Sequence, residues 1–172
     1  HNRLADMYLT AAKDLKQSIP LRNVAGNSDV SLQPTPEILK WYRERFGPPW
    51  YSFEHKGSLF VVLESNLLRD EQGAPGEAAK QLKWLRETLQ SAAGKEYQHT
   101  MVFMHHPLCL QAVDEKDQYF NIPKARRVEL LKLFEDASVN AVFSGHLHKN
   151  AYLKHGDMEL ITTSSCGAAL GN

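Results

Sequence analysis

The sequence lacks any long apolar segment and any excess of charge of one sign. No apolar run approaches the roughly 20 residues that a membrane-spanning helix needs, and no signal peptide is recognisable. Its 20 basic and 20 acidic residues cancel, so no net field favours nucleic acid or an anionic membrane as a partner. We therefore expect a cytoplasmic protein that binds neither nucleic acid nor a membrane.

Cysteine is also scarce. The two cysteines, Cys109 and Cys166, are too few for the disulfide framework of a small secreted protein. We expect buried free thiols, and a single bridge between the two residues is the alternative. Free thiols fit a reducing compartment.

The length of 172 residues is enough for one domain with a buried core. Apolar residues make up 42% and charged residues 23% of the chain, which argues against a disordered or fibrous protein. The chain begins at His1 and passes directly into helix-like sequence, which indicates a piece of a longer polypeptide. We expect residues 1–172 to form a single, partial domain.

Apolar residues recur at three- and four-residue spacing in four segments, which predicts four amphipathic helices. These helices are residues 4–19, 36–46, 77–93 and 124–137. Apolar or alternating runs between them predict strands. These strands are residues 21–25, 50–54, 58–64, 100–104, 139–144 and a closing pair on either side of 155–157. Strands that alternate with helices in this way indicate an α/β fold.

Three of the predicted strands end at polar side chains. The first ends at Asn27, the second at His105 and His106, and the third at His146 and His148. If these strands lie in one sheet, their ends converge at one edge. Imidazole nitrogens with an amide oxygen suit Mn, Fe, Zn or Ni rather than calcium. The alternative is a set of solvent-facing histidines, with Asn27 as a turn residue and His106 packing or hydrogen-bonding.

In this order, Gly26-Asn27-x-Asp29, His105-His106-Pro107 and Gly145-His146-Leu147-His148 resemble the motifs of the calcineurin-like metallophosphoesterases. Residues 63–65, the helix segment 81–85 and residues 119–121 are similar to a subgroup, the calcineurin-like phosphoesterase domain-containing proteins. The resemblance implies a four-layer α/β/β/α sandwich. It also implies that this chain corresponds to the C-terminal two-thirds of the domain and lacks its N-terminal strands.

The resemblance further implies two divalent metal ions, Mn, Fe, Zn or Mg, in a cleft at the strand ends. Carried over to this sequence, Asn27, His105 and His146 ligate one ion, and His148 ligates the other. The remaining ligands of the family come from an Asp-x-His motif and a Gly-Asp motif that this chain does not contain. We expect them upstream of His1, so that the second metal site is incomplete and this chain alone is inactive.

One position departs from the family. Ser28 stands where the family usually has a histidine that protonates the leaving group, and a serine hydroxyl is a poor general acid near neutral pH. Either Ser28 leaves the substrate trapped or a neighbour takes over the role, with His106 as the candidate. Asp29 is expected to orient a ligand, and Tyr119 and Asn121, in the long loop after the histidine pair, to contact the substrate.

The resemblance therefore implies a divalent-metal-dependent phosphoesterase that hydrolyses phosphomonoesters by metal-activated hydroxide. Its partner is then a phosphorylated small molecule or a phosphoprotein carrying phosphorylated serine or threonine. The alternatives are a phosphodiesterase acting on nucleotides or lipids and an inactive phosphoesterase-fold binding module. A sheet that lacks its first strands exposes an edge, which makes a dimer the further expectation.

Overall fold

The computed structural model describes residues 2–16 and 18–165, which form six helices and six strands. The helices are α1 (Asn2–Ala12), α2 (Asn27–Val30), α3 (Pro36–Phe46), α4 (Ser65–Arg69), α5 (Pro75–Ala92) and α6 (Lys124–Asp136). The strands are β1 (Tyr51–His55), β2 (Ser58–Val62), β3 (His99–Phe103), β4 (Ala141–Ser144), β5 (Ala151–His155) and β6 (Met158–Thr162).

The strands form one mixed sheet in the order β1-β2-β3-β4-β6-β5. The inner strands β2, β3, β4 and β6 are parallel, and β1 and β5 pair antiparallel at the two edges. Helix α5 connects β2 to β3 and α6 connects β3 to β4, as parallel neighbours require a crossover. The α/β class is confirmed. Because β2, β3 and β4 are parallel, their carboxyl ends lie at the same end of the sheet.

Both faces of the sheet are apolar. On one face the main core lies between the sheet and helices α5 and α6, as the leucine spacing of α5 predicts. The opposite face carries four stacked phenylalanine rings, one from each of four adjacent strands. They are Phe53, Phe60, Phe103 and Phe143, with neighbouring ring centroids 4.8, 6.2 and 5.0 Å apart. A half-buried apolar face of this kind suits the second sheet of a four-layer sandwich.

Local signals place most elements within a residue or two of the predicted bounds. Helix α3 begins where the Thr35 side chain accepts a hydrogen bond from the Ile38 N–H, and Pro36 occupies its first helical position. The β1–β2 hairpin turns at Lys56 and Gly57, whose φ angles of 47° and 74° suit a two-residue loop.

Two local predictions were wrong. Residues 21–25 form no strand, because they pair with no other strand in the described part of the chain and leave Leu21 and Val24 exposed. The first helix ends at Ala12 and does not continue to residue 19. Asn27 therefore begins the short helix α2 where a strand end was expected.

A buried arginine holds the long loop between β3 and α6. The Arg127 side chain is fully buried and donates hydrogen bonds to the carbonyl oxygens of Val113, Glu115 and Ile122 at 2.8–3.1 Å. A weaker contact of 3.5 Å joins it to the exposed Asp117 carboxylate. Its charge is thus satisfied mainly by loop carbonyl groups.

Replacing Arg127 by methionine is expected to lower the free energy of unfolding by about 3 kcal/mol, because one buried and two partly buried carbonyl groups lose their donor. The measurement is urea denaturation. The matched control is Arg86→Met, which removes a surface ion pair with Glu129 and should change stability by less than about 1 kcal/mol. Equal losses in the two variants contradict this account of the loop.

Candidate metal centre

Three donor atoms from separate parts of the chain converge beyond the carboxyl ends of strands β3 and β4. The His105 Nε2 atom lies 2.7 Å from Asn27 Oδ1 and 3.0 Å from His146 Nδ1. Because metal–nitrogen bonds are about 2.0–2.1 Å long, neighbouring ligands of one ion stand about 3 Å apart. The spacing of these atoms fits a shared cation, so the structure brings Asn27, His105 and His146 together, and their assignment as metal ligands stays a prediction.

Burial favours the neutral form of His105 and His146. Burial lowers the pKa of His105 to about 4, helped by the positive charges that His146 and His148 carry when protonated. Burial likewise lowers the pKa of His146, whose side chain is almost fully covered. Neutral imidazole is the form that binds metal ions.

The turn after β4 presents its two histidines differently. His146 and His148 both have left-handed φ angles, 64° and 58°, which residues other than glycine rarely adopt outside turns and functional sites. His146 is buried against His105, whereas His148 is exposed. His148 nevertheless lies near enough for its charge to lower the pKa of both His105 and His146. Its assignment to a second ion stays a prediction.

The Gly26–Asp29 turn fits closely around His105. A Cβ atom at Gly26 would lie 3.1 Å from the Cε1 and Nδ1 atoms of the His105 ring, so glycine leaves room for the imidazole. The Asp29 carboxylate accepts a hydrogen bond from the Gly26 N–H at 2.9 Å. Asp29 thus fixes the backbone that carries Asn27, and a direct role at a metal ligand stays a prediction.

Ser28 is exposed and lines a cavity of about 400 Å³ beside Asn27. The walls of this cavity include the aromatic side chains of Tyr8, Trp41, Tyr42 and Phe46. A larger side chain at position 28 therefore has space in this cavity.

His106 is unsuited to the general-acid role considered for it. The side chain is fully buried, and burial lowers its pKa to about 2, which disfavours the imidazolium form that a general acid needs near neutral pH. Its Nδ1 lies 2.9 Å from the Ser65 hydroxyl, which also accepts the His106 backbone N–H at 2.9 Å. With His105 and His146, His106 forms a group in which each ring offers a nitrogen within 4.8 Å of the others.

The two residues predicted to contact substrate differ. The Tyr119 ring is 48% exposed and lies over His146, with the ring centroids 4.9 Å apart. Asn121 is 1% exposed. Its side-chain NH₂ group donates to the Glu115 carboxylate and the Lys116 carbonyl, and its Oδ1 accepts from the Gln118 N–H. Because those bonds hold the loop itself, the geometry does not fit substrate contact by Asn121.

The sequence analysis used residues 63–65 only for the resemblance and assigned no role at the site to the segment that follows β2. Ser65 bonds to His106, and the Arg69 guanidinium lies 5.7 Å above the Tyr119 ring and lowers the pKa of His106 and His146. Glu64 caps α4 by accepting the Leu67 N–H, and burial raises its pKa to about 7. The argument that polar side chains at strand ends converge, applied to β2, would have pointed to Glu64 and Ser65.

The cysteine prediction is confirmed for Cys109, which is a buried free thiol whose pKa burial raises to about 11. Cys166 lies outside the described residues. Within residues 2–16 and 18–165, none of the helices combines the length and the apolar character that crossing a membrane requires.

Comparison with known proteins gives relatives at the level of sequence, and no family model matches the chain. The mouse (Mus musculus) serine/threonine-protein phosphatase CPPED1 is 40% identical over 159 residues, 92% of this chain and 51% of that protein. The human (Homo sapiens) protein of the same name is 37% identical over 156 residues, 90% of this chain and 50% of that protein. The chain thus spans about half the length of the curated relatives it matches.

A solved structure supports the fold. GAP50, the anchor in the inner membrane complex of Plasmodium, superposes with a TM-score of 0.56 at 22% sequence identity. The match covers 72% of this chain and 39% of that one. At this identity the likeness concerns the fold alone.

Proposed function

Because the chain belongs to the calcineurin-like phosphoesterase superfamily, we propose that its protein is a divalent-metal-dependent phosphoesterase acting on phosphomonoesters. Phosphorylated serine or threonine in proteins is the substrate class that the names of the relatives favour. The observation that carries the proposal is the convergence of Asn27 Oδ1, His105 Nε2 and His146 Nδ1 within 3.0 Å of their neighbours.

The donor set fits a divalent transition metal. Asn27, His105 and His146 would hold one ion through an amide oxygen and two neutral imidazoles, and His148 would belong to the second. When bound, such ions supply a Lewis acid and lower the pKa of water for attack on phosphorus. The cluster in the described part of the chain contains no carboxylate, so we expect the second ion to bind weakly to this chain alone.

Three further side chains would stand around the phosphoryl group and its leaving group. The Arg69 guanidinium, close to His106, His146 and Tyr119, offers the planar donor geometry that matches phosphate oxygens. Tyr119, exposed above His146, would cover the bound ester. Ser28, which directly follows Asn27, would face the leaving group without a readily transferred proton.

The test compares the protein isolated from its natural source with the 172-residue chain expressed alone, each with Mn²⁺. The substrates are an aryl phosphate, a phosphoserine peptide and a bis-aryl phosphodiester. Metal-dependent hydrolysis of the monoesters by the isolated protein supports the proposal, and preference for the diester supports the phosphodiesterase alternative. Metal binding without turnover of any ester supports the binding module, and full-rate turnover by the 172-residue chain contradicts its expected inactivity.

The proposal includes a cytoplasmic location and a dimer. The free thiol of Cys109 supports a reducing compartment. The antiparallel strands β1 and β5 form the two edges of the sheet, and an exposed edge can pair with a second copy. Sedimentation of the purified chain tests the dimer, and a monomer at all concentrations contradicts it.

A further inference from the structure

His106 carries an unexplained buried nitrogen. Its side chain is 0% exposed, and its Nε2 atom has no hydrogen-bond partner. The His146 ring lies beside it, with the two ring centroids 4.3 Å apart. Buried polar atoms in proteins are normally satisfied, so an orphaned nitrogen on His106 next to this cluster points to a ligand.

Ser65 determines what the Nε2 atom of His106 can do. The Ser65 hydroxyl accepts the His106 backbone N–H and lies 2.9 Å from Nδ1. A hydroxyl has two lone pairs, so it can also accept a hydrogen bond from Nδ1–H, which leaves a free lone pair on Nε2. The other arrangement, in which Ser65 donates to Nδ1, would bury an Nε2–H group with no acceptor.

The first arrangement is the usual one for a metal-binding histidine. Such a residue donates its other ring N–H to a neighbouring oxygen, which fixes the tautomer and the ring orientation. Ser65 is held at the start of α4, directly after Glu64 has capped that helix. The partner that orients His106 is therefore part of a rigid element.

We propose that His106 is a metal ligand through Nε2, which joins His105 and His146 in a site of three nitrogens. This inference deepens the proposed function by changing the ligand set of its first ion. Three neutral imidazoles favour Zn²⁺, Co²⁺ or Ni²⁺ over Mg²⁺ and Mn²⁺, and they need no carboxylate to bind one ion.

The rings must close slightly around the ion. The three ligand nitrogens lie within 4.8 Å of one another, and nitrogens bound to one zinc ion stand about 3–3.5 Å apart. Binding therefore draws the rings together by about 1 Å or more. Because Ser65 holds His106 from behind, we expect His105 and His146 to move further than His106.

The experiment measures Zn²⁺ binding to the metal-free 172-residue chain by calorimetry, so that turnover is not needed. His106→Gln is expected to lower zinc affinity at least about 100-fold, and Ser65→Ala about 10–100-fold. Asn27→Ala should lower it less than about 10-fold, because the nitrogens remain. His99→Gln, an exposed histidine on β3, is the matched control and should have no effect.

A measurement on the unmodified chain covers the case in which a variant fails to fold. Zinc addition should shift the ¹⁵N resonance of His106 Nε2 together with ring resonances of His105 and His146. A shift confined to His105 and His146, with affinity lost in Asn27→Ala and retained in His106→Gln, overturns the inference and leaves the proposed function standing. Absence of zinc binding to the unmodified chain overturns the inference as well.

Discussion

Replacing His105 by alanine is expected to lower the affinity for Zn²⁺ or Mn²⁺ by more than about 100-fold and to abolish any metal-dependent hydrolysis. Its Nε2 atom lies 2.7 Å from Asn27 Oδ1 and 3.0 Å from His146 Nδ1. His105 also belongs to the group of three histidines with His106 and His146. Structural zinc sites with four ligands bind with about 10–16 kcal/mol, so one ligand contributes about 3 kcal/mol. That energy corresponds to roughly 100-fold in Kd.

Calorimetry and metal content after gel filtration measure this effect. His99→Ala is the control, because His99 is exposed at the start of the same strand. Thermal unfolding without metal should show that His105→Ala keeps its fold, since removing the ring leaves a space only beside Gly26 and the other histidines. Unchanged metal affinity in His105→Ala would remove the metal centre from every proposal made for this chain.

Replacing Ser28 by histidine is expected to raise the rate of hydrolysis of alkyl phosphates by about 10²–10⁴-fold. An alkoxide is a poor leaving group, so its departure benefits from a proton that imidazolium can supply and serine cannot. Ser28 is exposed on a cavity of about 400 Å³, so an imidazole has room at this position, which directly follows Asn27 in the chain. The phenolate of an aryl phosphate leaves without a donated proton, so the hydrolysis rate of aryl phosphates should change little.

The measurement is kcat on a phosphoserine peptide and on an aryl phosphate, with a preparation that already turns over the aryl ester. The gain should shrink as the pH rises through the ordinary imidazole pKa near 6.5, because only the protonated ring donates. Ser28→Gln is the control, since it fills similar space and has no such proton. An equal gain in Ser28→Gln, or an equal gain on both esters, would show that space and not acid catalysis limits the rate.

The sequence predicted the elements that build the sheet edge, because hydrophobic period is a local property of the chain. The β1–β2 hairpin, helices α3, α5 and α6, and strands β3 to β6 follow that pattern. The motifs around Asn27, His105 and His146 then named the cluster that the fold assembles. Residues 21–25 show the limit of the method, because an apolar run becomes a strand only when a neighbour pairs with it.

Burial and partners were decided by the tertiary structure. The sequence could not tell whether His106 faces solvent, acts as an acid or binds a metal, because its environment depends on Ser65, which lies 41 residues earlier in the chain. Asn121 was expected at the substrate and is enclosed by its own loop, while Arg69 was overlooked and lies beside the cluster.

The residue types and their order along the chain were thus enough to predict the α/β class, the family resemblance and the residues proposed to bind a metal. Which of those atoms are dry, neutral and close to one another depends on contacts between residues far apart in sequence. Solvation and pairing set the charge of an imidazole, and both are properties of the packed chain.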